Sequence, residues 1–314
     1  MGDLSIVYNK THNNILISNT WINHYNLFYN FILKSNILNN NLKILEIGGG
    51  NNYLAELLLK DIKRYYILEP NVTNKNKDIV YIEEWLETYI SYSNYDILIL
   101  SHVLEHLYNP SEIFKFKSKY ICISIPYLKK YVENIFMNVL NIEHTFYYDE
   151  IHIINLFLNN HYKLINNDYY FEHSIFMIFE YENNINLNET KLVYNNKIKS
   201  NINNIFDNFF KEIINIKNKI NLLLNNNLND KYAIFPCNHY IQYLFIFGLE
   251  IHKIDYLFDN NINKFDKILY GTNLICKNLD FFSNNKIKMI LIGSLYNLEI
   301  LDALKLNNIE YFIF

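Results

Sequence analysis

The sequence contains few of the residues that mark disulfides, tight turns and metal sites: 3 cysteines, 4 prolines and 7 glycines in 314 residues. Cys122, Cys237 and Cys276 are far apart in the chain. They form neither a metal-ligand spacing nor an even disulfide set, so we expect reduced core residues. No basic run exceeds two residues and the formal charge is −4, which argues against a nucleic-acid partner.

Long apolar runs are also absent, and no stretch of the sequence reaches the length that spans a membrane. The N-terminal residues do not have the pattern of a signal peptide, and Ile6 occupies the position where a myristoylation motif needs serine or threonine. We therefore expect a soluble, cytoplasmic protein without a membrane partner.

The residues that are abundant predict a large folded core, since 50% of them are hydrophobic and 17% are aromatic. A chain of this length is expected to form two domains. Alternating strand-like and helix-like patterns predict a doubly wound, Rossmann-like α/β sheet followed by a second, smaller α/β domain. The predicted parts are a helical lead-in over 1–41, the first α/β domain over 42–183, a connecting helix within 184–230 and the second domain over 231–314. The strands predicted for the first domain are 42–47, 65–69, 79–82, 95–100, 120–125, 162–167 and 174–181.

A glycine-rich turn follows the first of these strands and opens a helix. Glu46 precedes Gly48, Gly49 and Gly50, and Glu69 ends the next strand nineteen residues after Gly50. Glycines let the backbone approach a ligand, and an acid at the second strand end can accept both ribose hydroxyls. The carboxylate of Glu46 disfavours a pyrophosphate but suits an ammonium or sulfonium group. A strand, turn and helix without any ligand is the alternative interpretation.

The fourth strand candidate runs into Ser101 and the sequence His102-Val-Leu-Glu-His106. Together with the glycine turn and Glu69-Pro70, this order resembles class I S-adenosylmethionine-dependent methyltransferases over residues 41–180. The resemblance implies S-adenosyl-L-methionine as the cofactor. The resemblance implies that the methionine part is contacted by Glu46, Gly48, Gly49 and Gly50, and the ribose by Glu69 and Pro70. It also implies that the adenine is flanked by Glu83, Glu84 or Trp85, and that the sulfonium side is lined by Ser101 and His102.

The same segment also fits the H-x-x-E-H pattern of one class of zinc peptidases, with His102 and His106 as ligands and a glutamate as base. That motif needs a long helix, whereas His102 directly follows a strand pattern. We therefore expect no metal, and His106 has the further interpretation of a packing histidine.

Further segments resemble sugar C-methyltransferases that act on nucleotide-linked deoxysugars. The matching segments are Ile125-Pro-Tyr-Leu128, Glu143-His-Thr-Phe-Tyr147, Phe258 to Lys264 and Leu269-Tyr-Gly-Thr272. Two departures stand out: the family's N-terminal four-cysteine zinc domain has no counterpart, and Asn141 replaces a tyrosine that contributes to proton abstraction.

The resemblance implies an acceptor site formed by Glu143, His144, Tyr147 and Tyr127. A histidine is the usual base near neutral pH, and the two tyrosines can donate hydrogen bonds to an oxyanion. Glu143 can orient His144 or bind a sugar hydroxyl. Because Asn141 replaces the tyrosine, O-methylation of a sugar is at least as plausible as C-methylation. Methylation of another small molecule and a non-catalytic binding module remain alternative hypotheses.

Overall fold

A computed structural model describes residues 19–72, 74–141, 143–183, 196–227, 229–292 and 297–314. The chain divides into two compact units. The first unit comprises Met1–Lys130 and Leu140–Tyr194, and the second comprises Tyr131–Val139 and Asn195–Phe314. Residues 131–139, which the sequence analysis placed in the first domain, therefore cluster with the second unit.

The first unit is built on a seven-stranded sheet with the order β3-β2-β1-β4-β5-β7-β6. Strands β1 to β5 are parallel, β7 pairs with β5 antiparallel, and β6 pairs with β7 antiparallel. The strands are β1 Lys43–Ile47, β2 Arg64–Leu68, β3 Ile79–Ile82, β4 Ile97–Ser101, β5 Tyr120–Pro126, β6 Tyr162–Tyr170 and β7 Ser174–Tyr181. The strand order confirms the doubly wound, Rossmann-like α/β fold that the sequence predicts, and β7 and β6 form an antiparallel edge.

Helices cover both faces of this sheet, which explains why its central strands are continuous apolar runs. All five residues of β4 are buried. Leu98 and Leu100 belong to one hydrophobic cluster, and Ile97 and Ile99 belong to the other, together with Phe28 from the lead-in helix. The helices that begin in this unit are α1 Asn19–Lys34, α2 Tyr53–Leu58, α3 Leu128–Glu133 and α4 Glu150–Leu158.

The second unit contains a five-stranded parallel sheet with the order β10-β9-β8-β11-β12. Its strands are β8 Lys231–Phe235, β9 Tyr256–Phe258, β10 Cys276–Lys277, β11 Ile287–Leu291 and β12 Tyr311–Ile313. Its helices are α5 Asn196–Asn226, α6 His239–Ile246, α7 Leu279–Ser283 and α8 Asn297–Leu306. This sheet confirms the predicted second, smaller α/β fold. Within the described parts of the chain, no helix combines the length and hydrophobicity needed to cross a membrane.

The second unit lacks the features of a nucleotide site at the end of its first two strands. The turn after β8 contains no glycine, and the acid that follows β9, Asp259, pairs with Lys264 Nζ at 2.7 Å. Lys264 also donates a hydrogen bond to the carbonyl oxygen of Cys237 at 2.8 Å. The carboxylate in the ribose-binding position of this sheet is therefore engaged by a lysine of the same unit.

Candidate active site

The turn between β1 and α2 requires glycine at two positions for two different reasons. Gly48 has a φ angle of +75°, and a Cβ atom there would lie 2.4 Å from Cγ2 of Val103. Gly49 has no such backbone requirement, but a Cβ atom there would lie 2.8 Å from the carboxyl carbon of Glu46. Gly50 continues the turn. Both close approaches keep the turn tight against the end of the sheet.

Asparagines complete the turn where a dinucleotide fingerprint has its last glycine. Asn52 has a φ angle of +60°, as its tolerance of the left-handed region predicts. Its backbone N–H donates to the Gly49 oxygen at 3.1 Å, and its side-chain amide donates to the Asn74 oxygen. Asn51 donates from its side chain to the hydroxyl of Tyr25 on α1 at 3.1 Å. These contacts hold the turn without the missing glycine.

Glu46 lies on β1 with its carboxylate buried beneath the turn. The hydroxyl of Tyr65 donates a hydrogen bond to it at 2.9 Å. Burial raises the pKa of Glu46 to about 7; the negative charge of Glu69 acts in the same direction, and the bond from Tyr65 opposes it. A cationic ligand group beside the turn would restore the ionised form.

Glu69 and the predicted adenine-side residues follow neighbouring strands. Leu68 pairs with Ile82, so Glu69-Pro70 and residues 83–85 leave the sheet side by side. Glu69 is half-buried, which raises the pKa of its carboxyl group, and its Oε1 accepts a hydrogen bond from the Asn71 N–H at 3.0 Å. Pro70 and Trp85 are half-buried, Glu84 is exposed, and Glu83 pairs with Lys75 at 2.5 Å.

Ser101 and His102 lie at the end of β4, next to β1 in the sheet. Ser101 is buried, and His102 has a φ angle of +53°. The Nε2 atom of His102 lies 2.8 Å from the Ser174 hydroxyl, and its Nδ1 lies 3.3 Å from the Glu105 carboxylate. The cofactor residues predicted from the sequence thus lie at or just after the carboxyl ends of β1, β2, β3 and β4, at the edge of the sheet where folds of this class bind ligands.

Two histidines next to His102 were missed by the sequence analysis. The rings of His24, on α1, and His173, before β7, lie 5.1 Å and 5.5 Å from the His102 ring, and Trp21 packs against all three. Burial lowers the pKa of His24 well below its usual value and that of His173 to about 3, so both are neutral near pH 7. The only sequence signal was the position of His24 on the apolar face of α1.

Backbone hydrogen bonds hold a distant segment against Glu105. The Glu105 carbonyl oxygen accepts from the N–H groups of Thr145 and Phe146 at 2.8 Å and 3.2 Å, and from the Thr145 hydroxyl at 3.0 Å. His106 Nδ1 lies 3.1 Å from the carbonyl oxygen of Glu143, which can only accept, so the imidazole donates. The predicted acceptor segment is therefore fixed beside the residues that follow β4.

The side chains of Glu105, His106 and His144 converge at this contact. One carboxylate oxygen and one nitrogen from each imidazole all lie within 4.8 Å of one another. Burial alone would raise the pKa of Glu105, but His102 and the two imidazoles of the cluster outweigh it and hold the pKa at about 2. Burial lowers the pKa of His144 to about 4, although the charge of Glu105 opposes this.

The four predicted acceptor-site residues fall into two places. The ring of Tyr147 lies 5.9 Å from that of His144, its hydroxyl donates to the Asn141 oxygen at 3.3 Å, and Glu143 lies next to His144 in the chain. Tyr127 follows β5 and packs against Tyr169 on β6, with ring centroids 5.2 Å apart.

The zinc-peptidase arrangement does not form in this segment. Residues Leu104–His106 make a single short 3₁₀ helix directly after the strand, instead of the long helix that the motif requires. Among the described residues, the group with metal-ligand geometry includes His106 and Glu105, but its second histidine is His144 and not His102.

No protein-family model matches the chain, and neither does any curated protein. The 1,6-didemethyltoxoflavin-N1-methyltransferase of Burkholderia thailandensis, solved with S-adenosylhomocysteine, is similar with a TM-score of 0.42 and 8% identity over 57% of this chain and 86% of that chain. Magnesium protoporphyrin IX methyltransferase from Synechocystis is similar with a TM-score of 0.40 and 13% identity over 57% of this chain and 93% of that chain. The N-methyltransferase NodS of Bradyrhizobium japonicum is similar with a TM-score of 0.39 and 13% identity over 54% of this chain and 100% of that chain. The fold assignment rests on the strand order of the first unit.

Proposed function

We propose that this protein is an S-adenosylmethionine-dependent methyltransferase that acts on a hydroxyl group of a sugar. The observation that supports the cofactor best is the carboxylate of Glu46, buried beneath the turn that Gly49 makes possible. A buried carboxylate at this point favours a ligand with an ammonium or sulfonium group. Glu69, at the end of the next strand, is placed to accept hydrogen bonds from the ribose hydroxyls.

The acceptor site in this proposal is the segment from Glu143 to Tyr147. Its contacts with Glu105 hold it next to the chain that follows β4. In this proposal His102, in the same stretch of chain, borders the sulfonium side of the cofactor. A polar segment beside the methyl donor suits an acceptor that has several hydroxyl groups. The acceptor class is a nucleotide-linked or glycan-bound deoxysugar.

The proposed reaction is a displacement at the methyl carbon of the cofactor. The acceptor oxygen forms a bond to the methyl carbon while the carbon–sulfur bond breaks, and sulfur keeps the electron pair in S-adenosylhomocysteine. His144 takes the hydroxyl proton, and Glu143 orients the sugar. Tyr147, whose ring lies beside that of His144, donates a hydrogen bond to the oxygen as its negative charge develops.

Oxygen is favoured over carbon as the acceptor atom because of Asn141. In the similar C-methyltransferases this position holds a tyrosine, whereas here the Asn141 side chain accepts a hydrogen bond from the Glu143 N–H at 3.1 Å and so shapes the turn before His144. Deprotonation of a hydroxyl needs one base within hydrogen-bond reach of the attacking oxygen, and His144 supplies it.

Turnover with a panel of nucleotide sugars, measured as S-adenosylhomocysteine released, tests this function. We expect S-adenosylhomocysteine to be released with at least one hydroxyl-bearing sugar, and the mass of that sugar to increase by one methyl group. Product formed only with phenols, amines or carboxylates would replace the sugar by another small acceptor. Cofactor binding without turnover on any class would favour a binding module.

A further inference from the structure

The side chain of Glu105 is a buried acid whose two carboxylate oxygens form no hydrogen bond with the described residues. His102 Nδ1 lies 3.3 Å from Oε1 but does not have the alignment of a hydrogen bond. A buried, ionised carboxylate without hydrogen bonds costs several kcal/mol unless a cation or a donor reaches it. This position therefore calls for a positively charged partner.

The orientation of His106 supplies a second, independent observation. Its Nδ1–H donates to the backbone oxygen of Glu143 at 3.1 Å, so Nε2 is the nitrogen that carries the lone pair in the neutral imidazole. Histidines that bind metals usually donate their second ring nitrogen in this way, which fixes the tautomer and the ring direction.

His144 completes a set of three donors. Its ring lies 4.9 Å from that of His106, and the donor atoms of the three residues lie within 4.8 Å of one another. Ligand atoms around a tetrahedral ion with bonds of about 2.1 Å are about 3.4 Å apart, so small side-chain rotations would close the set. We infer that Glu105, His106 and His144 form a binding site for one divalent cation.

The donor types indicate which cation this is. Two imidazole nitrogens and one carboxylate oxygen suit zinc and neighbouring first-row transition ions better than magnesium or calcium, which prefer oxygen ligands only. Three protein ligands leave coordination positions open, as in catalytic zinc sites. The sequence predicted no metal because His102 directly follows a strand pattern, and His106 and His144, which are 38 residues apart, show no ligand spacing.

The position of the site gives the cation a role that rests on the proposed function. A sugar hydroxyl bound in an open position would be more acidic, and its proton would pass to water. The resulting oxygen would then attack the methyl carbon, and sulfur would leave with the electron pair. With the cation bound, His144 is a ligand and does not act as the base. The bound hydroxyl would then be acidic enough to lose its proton to water.

Metal content measures the site without reference to activity. The chain is stripped with a chelator, incubated with zinc or with manganese, desalted, and analysed for bound metal together with Glu105→Gln, His106→Ala and His144→Ala. His252→Ala, an exposed histidine of the second unit, is the control. We expect about one ion per chain in the unaltered protein and the control, and a loss of affinity of about 100-fold or more in each of the three variants.

Thermal unfolding and S-adenosylmethionine affinity, measured on the same samples, separate lost ligands from lost structure. His144 is half-buried, so its alanine variant tests the site even where Glu105→Gln unfolds. Equal metal content in His144→Ala, His252→Ala and the unaltered protein would overturn the inference, as would no uptake in a folded, unaltered protein. Metal uptake without cofactor binding would retain the cation site and reject the methyltransferase function.

Discussion

A side chain on Gly49 would occupy the space of the Glu46 carboxyl group, since its Cβ atom would lie 2.8 Å from the carboxyl carbon. Carbon atoms that are not bonded do not approach this closely. Glu46 is buried, so it has little freedom to move away. The turn and the acid therefore depend on each other, because the absence of a side chain at position 49 allows the carboxylate of Glu46 to lie beneath the turn.

Gly49→Ala should weaken cofactor binding because it displaces the Glu46 carboxylate. We expect a loss of S-adenosylmethionine affinity of about 10-fold or more, measured by calorimetry. The fold should be retained, because position 49 does not require a left-handed backbone. An unchanged dissociation constant would separate Glu46 from the cofactor site.

Gly48→Ala should mainly destabilise the fold. Its φ angle of +75° costs a residue with a side chain about 1–2 kcal/mol, and the overlap with Val103 adds about 1–3 kcal/mol. Gly271→Ala is a matched control, because Gly271 has a φ angle of +80° and no atom within 4 Å of a built Cβ. Chemical denaturation should therefore show a clearly larger loss for Gly48→Ala. Equal losses would mean that Val103 can make room.

The buried Glu46 should make the stability of the ligand-free protein depend on pH. Its folded-state pKa of about 7 exceeds the ordinary value of 4.5, so the folded protein binds more protons than the unfolded chain between these values. The free energy of unfolding contributed by this group therefore falls as pH rises from 4.5 to 7. Glu46→Gln should remove this loss and be more stable by up to about 3 kcal/mol above pH 7.

Urea denaturation of both proteins at pH 5 and pH 8 checks the prediction, and the difference between them isolates Glu46 from other titrating groups. The same variant should bind the cationic cofactor more weakly, because glutamine supplies no charge. The stability gain is the free energy of unfolding of Glu46→Gln minus that of the unaltered protein. A gain that is no larger at pH 8 than at pH 5 would contradict the assigned burial of Glu46.

His144→Ala should lower turnover by about 10²–10⁴-fold, whether the imidazole acts as base or as a metal ligand. Cofactor affinity should barely change, since the residues proposed to bind the cofactor follow other strands. His252→Ala controls for the loss of a histidine as such. Near-normal turnover would reject a role in the reaction, and loss of cofactor binding would indicate a structural role.

The strands could be predicted from the sequence because central parallel strands are buried on both faces. Residues 97–101 of β4, for example, form a continuous apolar run up to Ser101. The left-handed conformation of Asn52 agrees with the known tolerance of asparagine for that region. By contrast, β10 has only two residues, too few for a pattern to be visible.

The side-chain clusters could not be predicted because they depend on packing between distant segments. His24 reaches His102 only after α1 packs on the sheet, and no local pattern records that contact. His144 reaches His106 because Thr145 donates hydrogen bonds to the Glu105 backbone, forty residues earlier. The sequence named His102, His106 and His144 separately, and the fold decides which of them meet.

Titration of the protein with S-adenosylmethionine by calorimetry measures directly whether this edge of the sheet binds the cofactor. We predict that one cofactor binds per chain. Glu69→Ala should lose at least about 1.5–3 kcal/mol of binding free energy, because two ribose hydroxyls lose a charged acceptor. Glu87→Ala, an exposed acid in the same unit, should bind as the unaltered protein does. The absence of binding, or equal affinity in Glu69→Ala and Glu87→Ala, would contradict the assignment of this edge as the cofactor site.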